Sequence, residues 1–296
     1  MSEKDRISID PSARADDPKK DALRDDGTHE VAPDIAYKRL AFVNIVFYGF
    51  PARADWVLID GGVHGSAGLI ASAAHERFKS PPKCIVLTHG HFDHVGALPT
   101  LAERWNVPIY AHPIEHPYLN GSAAYPPPDP SVGGLMAALS PFYPRGPFNL
   151  SRWLQQLPAD NTVPCMPGWK WIHTPGHTPG HVSLWRESDG CLLAGDAFSL
   201  TRQESAYSAI TQQSEVHGPP MYFTQDFEAA HRSVETLAAL EPHVAITGHG
   251  RAFRGGDLRA GLHQLAINFD IVAVPEHGKY VKHPARIEDG TAYDRP

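Results

Sequence analysis

At 296 residues the chain is long enough for one large α/β domain with a sizeable core. Its 33 Asp and Glu against 26 Lys and Arg give a net charge of −7, which argues against nucleic acid as a partner, since phosphate binding rests on clustered basic side chains. No apolar run approaches the roughly eighteen residues of a membrane span, and Met1 to Glu30 carries no signal-like apolar stretch, so the sequence reads as cytoplasmic and without a membrane partner.

Residues 1 to about 30 mix charges of both signs with few large apolar side chains and read as a disordered or loosely attached arm, with a homodimer contact as its other use. Residues 31–296 read as a single domain. Ala41 to Gly49 and Asp55 to Asp60 read as neighbouring strands. A helix is expected from about Ser66 to Phe78, with Leu69, Ile70, Ala73 and Phe78 inward. Cys84 to Thr88 is short, apolar and β-branched, a buried strand. The helix after it shows Leu98, Leu101, Ala102 and Trp105 on one face. A strand Pro108 to Ala111 follows, then a turn bearing His112 and His116.

Residues 119–168 change character, with prolines at ten positions and one short helix expected near Leu150 to Leu157. Met136, Leu139, Phe142, Tyr143, Phe148 and Trp153 give this stretch apolar surface that disorder would waste, so it reads as a lid or substrate wall. Strands are expected at Trp169 to His173, His181 to Trp185, Cys191 to Ala194 and His243 to Thr247. Between the last two lie an irregular segment, 198–224, and a helix from about Asp226 to Leu240. A final helix, capped near Asp257, presents Leu258, Leu262, Leu265 and Phe269, and the tail after Val274 carries no pattern. The three cysteines, Cys84, Cys165 and Cys191, are widely spaced and form no CxxC, so neither a disulfide framework nor a thiolate zinc site is indicated.

The chemistry concentrates in Thr88-His89-Gly90-His91-Phe92-Asp93-His94, four potential metal ligands on a tight loop at a strand's C-terminal end. Three other strand ends repeat the grammar of a glycine turn with a ligand at its tip: Pro175-Gly176-His177, Gly195-Asp196 and Gly248-His249. Five imidazoles and two carboxylates suit one or two borderline divalent ions, Zn²⁺ first, with Mn²⁺ or Fe²⁺ as alternatives, rather than Ca²⁺ or Mg²⁺.

The segment His89-Gly90-His91-Phe92-Asp93-His94 resembles the HxHxDH signature of the metallo-β-lactamase superfamily, and the later turns fall in that superfamily's order. The resemblance covers about Val43 to Phe269. It implies a four-layer αββα sandwich of two mixed β-sheets with helices outside and the site along one edge. It assigns His89, His91 and His177 to one metal ion, Asp93, His94 and His249 to a second, and Asp196 to both. A shared hydroxide would then attack an ester-like carbonyl, with Asp93 and Asp196 as the catalytic carboxylates.

Departures from individual branches narrow the reaction. Asp196 is present and no cysteine stands at a metal position, which argues against a true β-lactamase; His91 in place of Glu argues against the flavodiiron branch. Ser199 stands where acyl-homoserine lactonases carry a tyrosine three residues beyond the bridging aspartate, and only 47 residues follow His249, short for a glyoxalase-type thioesterase. Hydrolysis of an ester, lactone or thioester with an acyl or apolar group remains. Tyr207, Tyr222, Phe142 and Trp153 are the candidate substrate wall, with either tyrosine able to supply a hydroxyl to a developing oxyanion. The alternatives are an iron persulfide dioxygenase, a β-lactamase or phosphodiesterase, and a metal-binding protein without turnover.

Overall fold

The computed structural model describes Arg24, residues 27–201 and residues 215–295. Most of the expected N-terminal arm lies outside these residues, and its boundary near residue 30 falls inside the first strand.

One sheet takes its strands in chain order: β1 (His29–Ala32), β2 (Ile35–Leu40), β3 (Val43–Tyr48), β4 (Val57–Ile59), β5 (Cys84–Val86), β6 (Ile109–Ala111) and β7 (Leu154–Gln156). It is antiparallel as far as the β3–β4 pair and parallel from β4 onward. The other sheet comprises β8 (Trp169–His173), β9 (Val182–Arg186), β10 (Cys191–Gly195), β11 (Val244–Thr247) and β12 (Phe253–Arg254). Its spatial order is β12-β11-β10-β9-β8, with only β10 and β11 parallel.

Period-2 burial explains the layering. Val57 and Ile59 of β4 face one cluster and Leu58 the opposite one; Cys84 and Val86 against Ile85 do the same in β5. On β10, Cys191 and Leu193 join the cluster between the sheets, while Leu192 and Ala194 face outward under helices. Successive strand side chains point to opposite faces, so strands apolar throughout must be covered on both. The result is the αββα sandwich. The inner layer packs Val57, Ile59 and Val86 against Trp169, Val182 and Leu193.

Helix α1 (Ala67–Phe78) covers the outer face of the first sheet. Trp56 is fully buried there and stacks on Phe78 with ring centroids 4.4 Å apart. Ile70, Ala73 and Phe78 point inward as expected, whereas Leu69 is 60% exposed. At 100° per residue, Leu69 cannot share the inward line that Ile70, Ala73 and Ala74 define. Helix α2 (Phe92–Val95) is a single turn, and α3 (Leu98–Trp105) completes the layer. The helices Phe227–Ala238 and Gly255–Ile267 cover the second sheet through Phe227, Val234, Leu258, Leu262 and Leu265.

Three elements differ from expectation. The helix expected at Leu150 to Leu157 is one turn closed by Trp153 N–H and Leu154 N–H on Leu150 O, after which β7 pairs in parallel with β6. The open edge of β6 offers Leu154–Gln156 a ladder partner, which wins over continuing the helix. The hairpin β1–β2 adds a pair of strands whose alternation is too weak to read from Ile35-Ala-Tyr-Lys-Arg-Leu40.

The tail is also structured. A turn of helix, Lys279–Lys282, precedes a strip that packs beside residues 117–129. There Tyr118 Oη donates to Ala292 O at 2.7 Å, Ala124 and Asp294 exchange both backbone hydrogen bonds, and Arg145 Nη1 reaches Asp294 at 2.8 Å. Among the described residues, no helix is long and apolar enough to cross a membrane.

Candidate metal centre

The strand ends deliver the ligands. β5 runs into Thr88 and His89, and His91 stands extended at the start of α2, so Asp93 and His94 occupy its only turn. The parallel pairing of Gly195 with Thr247 sets the ends of β10 and β11 side by side, placing Asp196 next to His249. His177 arrives on the turn between β8 and β9.

All seven residues are buried and their functional atoms converge. His91 Nδ1 lies 3.1 Å from His89 Nε2 and 2.9 Å from His177 Nε2. His249 Nε2 lies 3.1 Å from Asp196 Oδ2 and 3.5 Å from Asp93 Oδ2. His94 Nε2 is 3.5 Å from Asp196 Oδ1, and Asp196 Oδ2 is also 3.5 Å from His177 Nε2. His89, His91 and His177 thus form one group and Asp93, His94 and His249 another, while His89, His94 and Asp196 form a third that joins them, and Asp196 faces both ends.

The outward ring nitrogens fix what the inward ones can do. Thr88 Oγ1 donates to Asp60 Oδ2 at 2.8 Å, so His89 Nδ1 donates to Thr88 Oγ1 at 3.0 Å. His94 Nδ1 donates to Asp60 Oδ2 at 2.8 Å, His249 Nδ1 to Phe42 O at 2.9 Å, and His177 Nδ1 to Thr224 Oγ1 at 3.4 Å. Each of these four rings, when neutral, therefore turns its Nε2 lone pair toward the centre, the tautomer that ligates a metal. His94 Nε2 and Asp196 Oδ1 are buried with no hydrogen-bond partner. Crowded imidazole lone pairs beside unpartnered carboxylate oxygen are a donor set that a divalent N/O-binding cation satisfies.

The two halves differ electrostatically. Burial, reinforced by neighbouring imidazoles, holds His89 and His91 well below the usual histidine range. Burial likewise lowers His177, to about 3, so this half consists of neutral rings. In the other half burial also opposes charge, but Asp196, Asp60 and Asp93 outweigh it and hold His94 well above its ordinary value; Asp196 and Asp93 raise His249. Burial would raise Asp196, yet His249 and His94 hold it well below the carboxylate range, whereas burial prevails at Asp93 and raises it.

Close approach decides one sequence choice. A Cβ on Gly248 would stand 2.0 Å from Asp196 Oδ1 and 2.7 Å from His94 Cε1, so no side chain fits there without moving two of the seven residues.

Sequence reasoning missed two residues. Asp60, 3% exposed, follows β4 and ties His94 to Thr88; its signal is a carboxylate at a strand end beside a glycine turn, Asp60-Gly61-Gly62, although the glycines follow it where they precede His177, Asp196 and His249. Glu115 is fully buried among the loops behind His91, and its place in His-Pro-Ile-Glu-His carries no motif. His181 accepts from Asp196 N–H at 2.9 Å and so supports a ligand, while His173 stacks on His112, 4.5 Å between centroids, away from the seven.

The expected wall residues separate. Tyr222 is 5% exposed and joins Phe223, Tyr143, Phe92 and Met136 in one cluster, whose Phe223 ring lies 4.7 Å from that of His91. Phe142 is 83% exposed and absent from that cluster. Trp153 packs instead on the outer layer, its Nε1 donating to Asn106 Oδ1 at 3.0 Å, because the short turn before β7 aims it at α3. Tyr207 lies outside the described residues. Ser199 donates to Thr201 O at 2.6 Å, so its hydroxyl is already used.

The sequence pattern of the metallo-beta-lactamase superfamily matches residues 39–249. The probable metallo-hydrolase YflN of Bacillus subtilis (strain 168) is 43% identical over 249 residues, spanning 83% of this chain and 94% of that protein. The probable metallo-hydrolase YybB of the same organism is 31% identical over 170 residues, 57% of this chain and 64% of that protein. Among solved structures, a beta-lactamase domain protein from Burkholderia ambifaria matches with a TM-score of 0.61 at 19% identity, covering 89% of this chain and 79% of that one, a likeness of fold. The ordered strand-end ligands, the four-layer sandwich and the extent of these matches agree: the chain belongs to the metallo-beta-lactamase superfamily.

Proposed function

We propose that this protein is a dinuclear metal-dependent hydrolase that opens an ester-like carbonyl bond in an ester, lactone or thioester. The observation that carries the reading is the division of the ligand atoms into two groups that both face Asp196. The relatives' description as probable metallo-hydrolases supports it. His89, His91 and His177 would hold one ion, Asp93, His94 and His249 the second, with Asp196 shared; Zn²⁺ suits these ligands best, and Mn²⁺ or Fe²⁺ also fits. Two such ions supply a water acidic enough to ionise near neutrality and polarise a carbonyl oxygen.

The chain's own groups do the remainder. Asp93 is 6% exposed against 0–2% for the five histidines, so it lies closest to the solvent side, where it orients the attacking water and takes up its proton. Asp60, Thr88, Phe42 O and Thr224 keep the rings from turning as charge develops. Phe92, Tyr143 and Phe223 form an apolar shelf beside His91 that suits an acyl or aromatic group and excludes water from one side.

The test is turnover of metal-stripped protein reloaded with Zn²⁺, Mn²⁺ or Fe²⁺ against esters, lactones and thioesters with apolar acyl groups, alongside a β-lactam, a phosphodiester and a persulfide. Hydrolysis in a carbonyl class with two ions per chain is expected. Turnover confined to the β-lactam or the phosphodiester, oxygen consumption with the persulfide, or full activity at one ion per chain would overturn the reading.

A further inference from the structure

Glu115 touches none of the seven ligand residues, yet donors from the loops that carry them converge on its carboxylate. Oε2 accepts from Gly90 N–H at 3.0 Å and from the Tyr125 hydroxyl; Oε1 accepts from Thr178 Oγ1 and from Gly180 N–H, both at 2.9 Å. A carboxylate offers about four acceptor sites, and all four are filled. Gly90 lies between His89 and His91. Thr178 and Gly180 follow His177. Tyr125 lies against the ring of His91, 4.5 Å between centroids, and its oxygen accepts from Gly90 N–H at 2.9 Å. A Cβ on Gly180 would stand 2.7 Å from Glu115 Oε1, so the turn closes directly onto the carboxylate.

These contacts reach only one half of the centre. His89 and His91 come from one loop and His177 from another, 86 residues apart between His91 and His177, and Glu115 is hydrogen-bonded to both loops. Asp93, His94 and His249 receive no such support from it; there a different carboxylate, Asp60, orients His94. We propose that Glu115 is a positioning residue that sets the spacing of the His89–His91–His177 group alone, whereas Asp60 reaches both halves, directly through His94 and by way of Thr88 through His89. This rests on the two-ion reading above.

The experiment is titration of metal-stripped, full-length protein with Co²⁺ alone, in competition with a chromophoric chelator, for wild type, Glu115→Gln and Thr178→Val. The glutamine keeps the shape but turns an amide N–H toward donors. Wild type should show two binding events. In Glu115→Gln one event should weaken by about tenfold or more, the scale seen when such outer partners are lost, while the other stays unchanged. Thr178→Val removes one donor, should weaken the same event to a smaller degree, and carries the test if Glu115→Gln does not fold. Asp60→Asn should weaken both events, because its carboxylate orients His94 directly and His89 by way of Thr88. Equal weakening of both events by Glu115→Gln, or no change in either, overturns the assignment with the two-ion reading intact. A wild type with fewer than two events overturns the two-ion reading, and the assignment with it.

Discussion

At the scale of single residues, Asp196 is the point where the two halves meet, and its replacement should be the most damaging. Asp196→Asn keeps the volume but removes the charge that faces His94, His177 and His249. Metal content measured on the purified variant should fall from two ions to at most one per chain, with loss of most turnover; two retained ions would remove the shared role. His112 provides a test of pH dependence away from the centre. Burial, with His173 and His116 adding like-charge repulsion, lowers its pKa from the ordinary 6.5 to about 4. Between these values the unfolded chain binds a proton that the folded chain refuses, so stability falls as pH falls through that window. Melting of metal-stripped protein from pH 7 to 4.5 should therefore show a shallower loss in His112→Asn than in wild type. Identical slopes would rule the contribution out.

At the scale of elements, the convergence of the seven candidate ligands was legible because each sits where a strand gives way to a glycine turn, a pattern that local sequence carries. The supports were not. Asp60 and Glu115 act on groups 28 and 25 residues away respectively, Thr88 and Gly90, and nothing local distinguishes a buried carboxylate that orients from one that merely ends an element. Two of the expected wall residues, Phe142 and Trp153, lie elsewhere for a related reason, while Tyr222 joins the cluster beside His91. Aromatic content marked 119–168 as apolar, but which aromatic faces the site depends on the turn before β7 and on the fold of Leu135–Leu139, neither of which the sequence dictates by period. Phe223 faces His91 from the second irregular segment instead. The turn after β11 yields its own prediction. Gly248→Ala forces Asp196 and His94 to give way, so metal uptake should drop sharply in a competition titration while circular dichroism of the metal-free protein stays that of wild type. Unimpaired uptake would mean that the turn moves and the ligands do not.

For the whole molecule, the layered architecture was legible through the ordered motifs and the family they resemble, and the continuously apolar central strands agree with it, since strands buried on both faces require cover on both. The edges were harder: β1, β2, β7 and β12 are short or weakly alternating and owe their state to a partner strand. The same layering would make a bound metal part of the fold's stability, because ions held by seven candidate ligands from four strand ends would add to the hydrogen bonds that already join those loops. Reloading stripped protein with metal at a hundred times the dissociation constant of each site should add about 2.7 kcal/mol per ion and raise the melting temperature by several degrees. An unchanged melting curve would mean that the ions bind outside this centre.

The strip that packs beside Tyr118 and Tyr125 has a consequence in time. A ribosome makes every proposed ligand, from His89 to His249, before it makes Ala292 and Asp294, which hold Tyr118 and the backbone of Ala124. During synthesis the ligands are therefore all available while the backing of the Tyr125 ring, and through it of His91, is still missing. A nascent chain would meet metal with its centre half-braced, and the later-made strip around Ala292 and Asp294 would close the wall behind it.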